Sequence, residues 1–283
     1  MINVGVIGVG VMGYNHVRVL LTLRDARLVA IADTNKEVLD RVGKIFGIKN
    51  RYLSYKDMIG KHKMDAVIIA VPSNLHKEMA IDCLNQGLNV FVEKPIAHSV
   101  EEGNEMILAS EKQKKLLMVG HIERFNPVVS QLKQFMKKGS LGHIYLVNTV
   151  RVGPYPKRLR NIGVLIDLAV HDIDIIRYLV GEIYEVYSQL IMPGNEAIYC
   201  KSLFKINSSI NGSSEFSWVS PKRARTIHVY GVKGVFEGNY SDQTLKFYEN
   251  PEGKSKNNST EYYKEVLISG NISSGKIIEF PLV

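Results

Sequence analysis

Apolar and polar positions along the first 121 residues separate short strands from longer helices. Brief runs of Val, Ile and Ala are typical of buried strands, whereas the stretches between them repeat apolar residues at helical spacing. The pattern predicts strands at residues 3–7, 28–32, 66–71, 90–92 and 116–119, and helices at 12–23, 36–46, 54–60, 75–86 and 100–112. Strands that alternate with helices predict a parallel sheet wrapped by helices, which is a doubly wound Rossmann domain over residues 1–121.

The pattern changes after residue 122. We expect a helix after Pro127, a strand at 144–152 and a long helix at 164–180, followed by strands at 185–191, 197–204, 213–219, 226–230 and 245–248. Successive strands without intervening helices predict an α+β domain with a large, mostly antiparallel open sheet over residues 122–283. Polar residues at 250–259 indicate a hairpin loop.

Charge and composition narrow the class of protein. The chain has 283 residues and a formal net charge of +8, but its basic residues are dispersed and no nucleic-acid-binding motif accompanies them. The charge would equally suit a ligand that carries a diphosphate. No apolar run reaches the roughly 20 residues of a membrane span, and the start lacks the basic region of a secretory signal. We expect a cytoplasmic protein that binds neither nucleic acid nor membrane, with Cys83 and Cys200 as inert thiols.

A glycine-rich segment, Gly8-Val9-Gly10-Val11-Met12-Gly13, follows the first predicted strand and opens the first helix. The glycines allow a tight turn and a close approach of the backbone to a pyrophosphate, which the helix N-terminus then favours. About twenty residues on, Asp33 ends the second strand, where its carboxylate can accept hydrogen bonds from the adenosine ribose. Because a 2′-phosphate beside Asp33 would be repelled, NAD is expected rather than NADP.

Two further signals end later strands, at the edge of the sheet where ligands bind in such folds. Val71-Pro72-Ser73-Asn74 lies at the end of the strand predicted at 66–71, and Glu93-Lys94-Pro95 follows the strand predicted at 90–92. Lys94 would then lie beside the nicotinamide. The alternative for Lys94 is a surface lysine that precedes a proline turn.

A third signal lies in the long helix predicted at 164–180. The i, i+4 spacing puts Asp167 and His171 on one helix face, with Asp174 one turn further on, while Asp172 points elsewhere. A carboxylate beside an imidazole orients it and raises its basicity, as a proton acceptor for an alcohol requires. A core histidine with no chemical role is the alternative. No set of metal ligands is apparent, and none is expected.

With these residues in place, the chain resembles the glucose-fructose oxidoreductase / inositol dehydrogenase / MocA family over nearly its whole length. The matching motifs follow in the family's order: Gly8-x-Gly10-x-Met12-Gly13, Asp33, Pro72-Ser73-Asn74-x-His76, Glu93-Lys94-Pro95, Gly120-His121-x-x-Arg124-Phe125-Asn126-Pro127 and Asp167-x-x-x-His171-x-x-Asp174. Together they are far more specific than a glycine-rich loop alone.

The resemblance implies a fold, an activity and a set of site residues. Family members mostly move a hydride between NAD(P) and a sugar-type secondary alcohol, and they often oligomerise through the open sheet. Lys94 would contact the reacting hydroxyl, and His171, supported by Asp167, would be the acid/base. The implied cofactor contacts are Gly8, Gly10, Val11, Met12, Asp33, Val71, Pro72, Asn74, His76, Glu93 and Lys94.

Within the family, the segments 121–127, 151–156 and 166–174 are most similar to UDP-N-acetylglucosamine 3-dehydrogenases, which oxidise the C3 hydroxyl of that sugar. The basic segment 151–160 would then bind the UDP diphosphate, its alternative being a solvated loop. The implied substrate contacts are Lys94, Arg124, Asn126, Arg151, Tyr155, Arg158, Asn161 and His171.

Two other functions remain open. The same chemistry could act on a polyol or free sugar such as myo-inositol, or the protein could be a non-catalytic NAD sensor that binds a partner protein through its open sheet. One departure concerns the tail, because family members usually close with a further helix near the Rossmann domain. This chain instead closes with the strand-like segment 277–283, as a truncated or diverged tail would.

Overall fold

The computed structural model describes residues 1–156, 163–250 and 277–280 of the chain. Its contacts divide into two compact units, Met1–His121 and Ile122–Val283. Across the described residues, no helix is both long and apolar enough to cross a membrane.

The first unit is built on a six-stranded parallel sheet with the strand order β3-β2-β1-β4-β5-β6. Its strands are β1 (Ile2–Ile7), β2 (Ala26–Ala32), β3 (Arg51–Tyr52), β4 (Ala66–Ile69), β5 (Asn89–Glu93) and β6 (Leu117–Gly120). This order confirms the predicted doubly wound fold. From β1 the chain adds strands first on one side, as β2 and β3, and then on the other side, as β4, β5 and β6, so the switch point lies between β1 and β4. Ligands bind at such a switch point, outside the carboxyl ends of the strands.

Five helices connect these strands: α1 (Val11–Leu20), α2 (Lys36–Phe46), α3 (Tyr55–Lys61), α4 (His76–Asn85) and α5 (Val100–Gln113). Local capping explains several of their ends. The side chain of Asn35 accepts hydrogen bonds from Glu37 N and Val38 N at the start of α2, and Gly47 ends that helix at φ +67°. Ser99 caps α5 in the same manner. The two-residue strand β3 escaped prediction because it is too short to show alternation.

The second unit holds an eight-stranded sheet with the order β14-β13-β12-β11-β7-β10-β9-β8. Its strands are β7 (Ile144–Pro154), β8 (Ile183–Ile191), β9 (Tyr199–Ile206), β10 (Ile210–Ser217), β11 (Val219–Gly231), β12 (Gly234–Asn239), β13 (Thr244–Glu249) and β14 (Ile277–Phe280). Neighbouring strands pair antiparallel except β7 and β10, which are parallel. The prediction of a mostly antiparallel sheet is confirmed.

Helices α6 (Pro127–Lys137) and α7 (Val170–Val180) pack on this sheet. Their apolar faces meet those of the strands in one core, with Leu132 and Ile176 fully buried beside Val147 and Ile227. The predicted helix at 164–180 has two parts, because residues Leu165–Ala169 form a π-helical turn before α7 begins. Such turns widen the helix locally and are frequent at functional sites.

Candidate functional site

A cleft of the first unit lies at the sheet's switch point and has a volume of about 390 Å³. Five of the predicted cofactor contacts meet there, because the ends of β1, β2 and β4 reach the same edge of the sheet. Its lining includes Gly8, Gly10, Asp33, Val71, Pro72, Ser54, Tyr55, Leu75 and Met79. This size falls within the range of about 300–1,000 Å³ that is typical of small-molecule sites.

The three glycines of the loop have different structural roles. Gly8 lies at φ +83°, and a Cβ there would come within 2.6 Å of the carbonyl oxygen of Ala70. A Cβ on Gly13 would overlap the carbonyl oxygen of Gly8. At Gly10, by contrast, a Cβ would meet nothing within 4 Å. Gly8 and Gly13 are therefore required by the fold of the loop, whereas Gly10 keeps open the space that a phosphate group would enter.

Asp33 secures this loop. Its Oδ2 accepts a hydrogen bond from Val9 N at 2.8 Å, and its Oδ1 accepts one from Asn35 N at 2.8 Å. A carboxylate has about four lone-pair positions, so it can accept further hydrogen bonds from ribose hydroxyls. Asp33 thus has a structural role that the sequence did not reveal, and its contact with the ribose stays a prediction.

A contact between His16 and Glu93, which sequence reasoning missed, holds the end of β5 in place. Glu93 is almost fully buried, and its Oε1 lies 2.7 Å from Nε2 of His16 on α1. The backbone N–H of Lys94 donates to Glu93 Oε2 at 3.3 Å. This pair connects the helix of the glycine loop to the residue predicted to contact the reacting hydroxyl. No local pattern signals the pair, because its members are 77 residues apart in the sequence.

His76 joins the other two strand-end segments. It is 1% exposed, and its ring nitrogens lie 2.9 Å from the carbonyl oxygens of Val71 and Pro95. The histidine therefore holds the Val71 turn against the loop after Lys94. Direct contact between His76 and the cofactor stays a prediction, as does that of Asn74, Val11 and Met12, which are solvent-exposed.

In the second unit, Asp167 belongs to the π-helical turn and His171 to the first turn of α7. Both side chains are half-buried. Asp172 is fully buried and forms an ion pair with Arg151. The roles of Asp167 and His171 in proton transfer stay predictions.

Arg151 is the centre of a buried ion-pair network. It is 1% exposed; its Nε and Nη2 donate to Asp172 Oδ1 at 3.0 and 2.7 Å, and its Nη1 donates to Glu123 Oε1 at 3.1 Å. Burial acts to lower the pKa of Arg151, but the charges of Asp172 and Glu123 outweigh it and raise that pKa. Burial raises the pKa of Tyr240 next to the network. The guanidinium of Arg151 therefore balances two carboxylates inside the unit, and its contact with substrate stays a prediction.

Other predicted substrate contacts also have structural partners. Arg124 Nε donates to Asp174 Oδ2 at 2.8 Å, which raises the pKa of the arginine. Asn126 caps α6 through Val128 N. Tyr155 is exposed, with its ring 5.3 Å from that of Trp218. Arg158 and Asn161 lie outside the described residues, as does most of the loop predicted at 250–259.

A second, smaller cleft brings Arg151 and Asp167 together with three residues that sequence reasoning missed, namely Trp218, Arg223 and Arg225. The cluster of basic residues at 222–225 could have suggested the two arginines, but not Trp218. In the portion of the chain that the structure describes, no group of three His, Cys, Asp or Glu side chains could hold a metal ion.

Comparison with known proteins identifies the family. Residues 2–121 match the GFO/IDH/MocA oxidoreductase family, described as an NAD-binding Rossmann fold, and residues 129–237 match the family's C-terminal domain. The chain belongs to this family of oxidoreductases, and its first unit is the NAD-binding domain.

Relatives and solved structures agree with that assignment. The myo-inositol 2-dehydrogenase of Thermotoga maritima is 30% identical over 66% of this chain and 57% of its own length. The matched region thus spans little more than half of this curated relative. The WlbA dehydrogenase from Bordetella pertussis, solved with NADH and UDP-GlcNAcA, has a TM-score of 0.82 at 24% identity and covers 95% of this chain and 83% of its own.

A second solved structure has a similar fold. The UDP-N-acetylglucosamine 3-dehydrogenase GnnA from Acidithiobacillus ferrooxidans has a TM-score of 0.84 at 22% identity, covering 100% of this chain and 83% of its own. At such identities the likeness establishes the two-part fold alone.

Proposed function

We propose that this protein is an NAD-dependent dehydrogenase that oxidises a secondary hydroxyl of a sugar, namely C3 of UDP-N-acetylglucosamine, to a ketone. The observation that carries the proposal is the cleft at the switch point, which presents Gly10 and Asp33 to a dinucleotide. Lys94, Asp167 and His171 supply the chemistry expected of an alcohol dehydrogenase. NAD, when bound, accepts the hydride.

The protein's own residues would divide the remaining work. Lys94 donates a hydrogen bond to the oxygen of the reacting hydroxyl as negative charge develops on it. His171 takes the hydroxyl proton as general base, and Asp167 orients its ring. The His16–Glu93 pair positions Lys94 through the backbone. No step requires a metal ion.

Resemblance supports the choice of sugar. The segments 121–127, 151–156 and 166–174 resemble UDP-N-acetylglucosamine 3-dehydrogenases, and the folds of WlbA and GnnA match nearly all of this chain. A polyol substrate is the second candidate, because the relative at 30% identity is named a myo-inositol 2-dehydrogenase.

The test is a substrate panel. Mixing the protein with NAD and UDP-N-acetylglucosamine should raise NADH absorbance, and myo-inositol and free N-acetylglucosamine are the comparison substrates. K94A and H171A should each abolish turnover while NADH still binds. Full turnover by either variant would refute the proposed mechanism. NADH binding without turnover of any sugar would instead favour a sensor of the same fold.

We also propose that the protein forms a homo-oligomer through its open sheet. The face opposite α6 and α7 exposes apolar side chains, among them Tyr187 and Leu203, which are paired in register and 65% and 55% exposed. Light scattering on the wild-type protein and on L203E tests this proposal. The proposal would be contradicted if L203E formed assemblies of the same mass as the wild type, or if the wild type were a monomer.

A further inference from the structure

Three arginines surround the small cleft of the second unit, between the end of β7 and the first part of β11. The cleft is lined by Arg151, Gly153, Asp167, Trp218, Arg223 and Arg225, among others. Its volume is about 110 Å³, well below the roughly 300 Å³ at which sites for whole small molecules begin. Such a volume suits one functional group of a larger ligand.

Arg151 forms one wall of the cleft but has little hydrogen-bonding capacity left for a ligand. Three of its N–H groups are engaged by Asp172 and Glu123, as described above, and its side chain is 2% exposed. The charge of Arg151 is therefore balanced inside the protein. Any capture of a ligand falls to the other two arginines.

Arg223 and Arg225 differ from Arg151 in their carboxylate partners. Among the residues that the structure describes, neither side chain has a hydrogen-bonded or ion-paired carboxylate. Arg225 stands directly opposite Arg151 in the register of β11 and β7, an arrangement of like charges that destabilises a sheet. Burial, followed by the charge of Arg151, lowers the pKa of Arg225.

We propose that Arg223 and Arg225 bind the acidic group of the sugar substrate, either a sugar carboxylate or a phosphate of a nucleotide sugar. A forked guanidinium recognises both groups through paired hydrogen bonds. The charge of Arg151 is already balanced by Asp172 and Glu123. Arg223 and Arg225 are therefore the guanidiniums of the cleft with which an anion would pair. This inference rests on the proposed dehydrogenase function, because Asp167 is also the proposed partner of His171.

The aromatic side of the cleft fits the rest of such a ligand. Trp218 is 4% exposed, and the ring of Tyr155 stands edge-on to it at 5.3 Å. Aromatic rings beside a few charged groups are typical of small-molecule sites. The acidic group would then fix the end of the substrate, while Asp167 marks the side from which His171 acts.

Isothermal titration calorimetry tests the subsite without requiring turnover. The probes are UDP for the phosphate, glucuronate for the carboxylate and glucose as the neutral control. The proteins are wild type, R223Q, R225Q and K222Q, the last of which removes an exposed charge from the same strand outside the cleft. R225Q should weaken binding of one acidic probe by about tenfold to a hundredfold, R223Q by less, and K222Q by less than about twofold.

The acidic probe that responds identifies the source of the group. R225K, which keeps the charge but loses the fork, should give an intermediate affinity, and thermal melting of R225Q establishes that it is folded. If neither acidic probe binds the wild type, or if R223Q and R225Q bind both as the wild type does, the subsite is refuted.

Failure of the subsite can be told apart from failure of the proposed function. Binding of a probe that depends on Arg225, in a protein that oxidises no sugar, would support the subsite and count against the dehydrogenase. Oxidation of an acidic sugar with the same KM in R225Q as in wild type would support the dehydrogenase and count against the subsite.

Discussion

His16 on α1 lies 2.7 Å from Glu93 at the end of β5, so the helix of the glycine loop and the strand that carries Lys94 share one buried contact. The imidazole also meets the edge of Phe91 at 5.2 Å between ring centroids. Two parts of the NAD-binding domain that are 77 residues apart are thereby held in one geometry.

The first prediction concerns this pair. H16A should lower the unfolding free energy of the first unit by about 1–3 kcal/mol, because a buried carboxylate loses its partner. It should also lower kcat, since Lys94 follows Glu93 directly, while H16Q restores part of both. H98A is the matched control, because that side chain is exposed. Thermal melting and steady-state kinetics measure the two effects, and a fall in stability with unchanged kcat would limit the pair to a structural role.

The second prediction separates two glycines of the same loop. G10A should fold with wild-type stability, because a Cβ there meets nothing within 4 Å, but it should bind NADH at least about tenfold more weakly because the Cβ enters the phosphate space. G13A should lose stability through its overlap with Gly8. Melting curves and NADH fluorescence titrations distinguish the variants. Equal NADH affinity in G10A and wild type would place the pyrophosphate elsewhere.

The third prediction concerns the buried ion pair of Arg151 and Asp172. R151M should destabilise the second unit by about 3–5 kcal/mol, because it leaves the carboxylate of Asp172 buried without its counter-charge. The double variant R151M/D172L should recover much of that loss, since the uncompensated charge is gone. Chemical denaturation of the wild type, R151M, D172L and R151M/D172L measures this. If the double variant is as unstable as the sum of its single changes, the two side chains act independently.

The fourth prediction uses the thiol of Cys83. Burial, and next the charge of Asp82, raise the pKa of Cys83 from 9.0 to about 12. At pH 8 only about one folded thiol in ten thousand is then ionised, against about one in ten in the unfolded chain, so alkylation should report unfolding. The protonated thiol favours the folded state fully below pH 9, and this contribution is lost as the pH rises toward 12. Alkylation of Cys83 at equal rates with and without urea would contradict the prediction.

Sequence reasoning recovered the fold where local patterns decide it. The Rossmann unit was predictable because each buried strand ends in its own signal, such as Gly8, Asp33 or Val71, and parallel order brings those ends to one edge. The antiparallel sheet was predictable as a class, but β12 was missed and β11 is much longer than expected. Glycines at both ends of β12 weaken the alternation that would have revealed it.

The site was less predictable because its contacts are non-local. Nothing in the neighbourhood of Arg151 indicates that it is buried against Asp172, 21 residues away. The same holds for Arg225, which shares a cleft with Asp167 only through the pairing of β11 with β7. Spacing located Asp167 and His171 on a common helix, but not the π-helical turn that carries the aspartate.

The parallel pairing of β7 with β10 has a consequence for the order of folding. Residues 155–209 separate these two strands in the sequence, so this long segment must be accommodated before Leu146 can meet Asn211. It contains α7 as well as the β8–β9 hairpin. Loops of that length close late and at an entropic cost. Asp167 and His171 therefore reach their final positions only when a long-range crossover has closed. We expect any chain that ends before β10 to leave both residues without a working environment, however helical their own segment is.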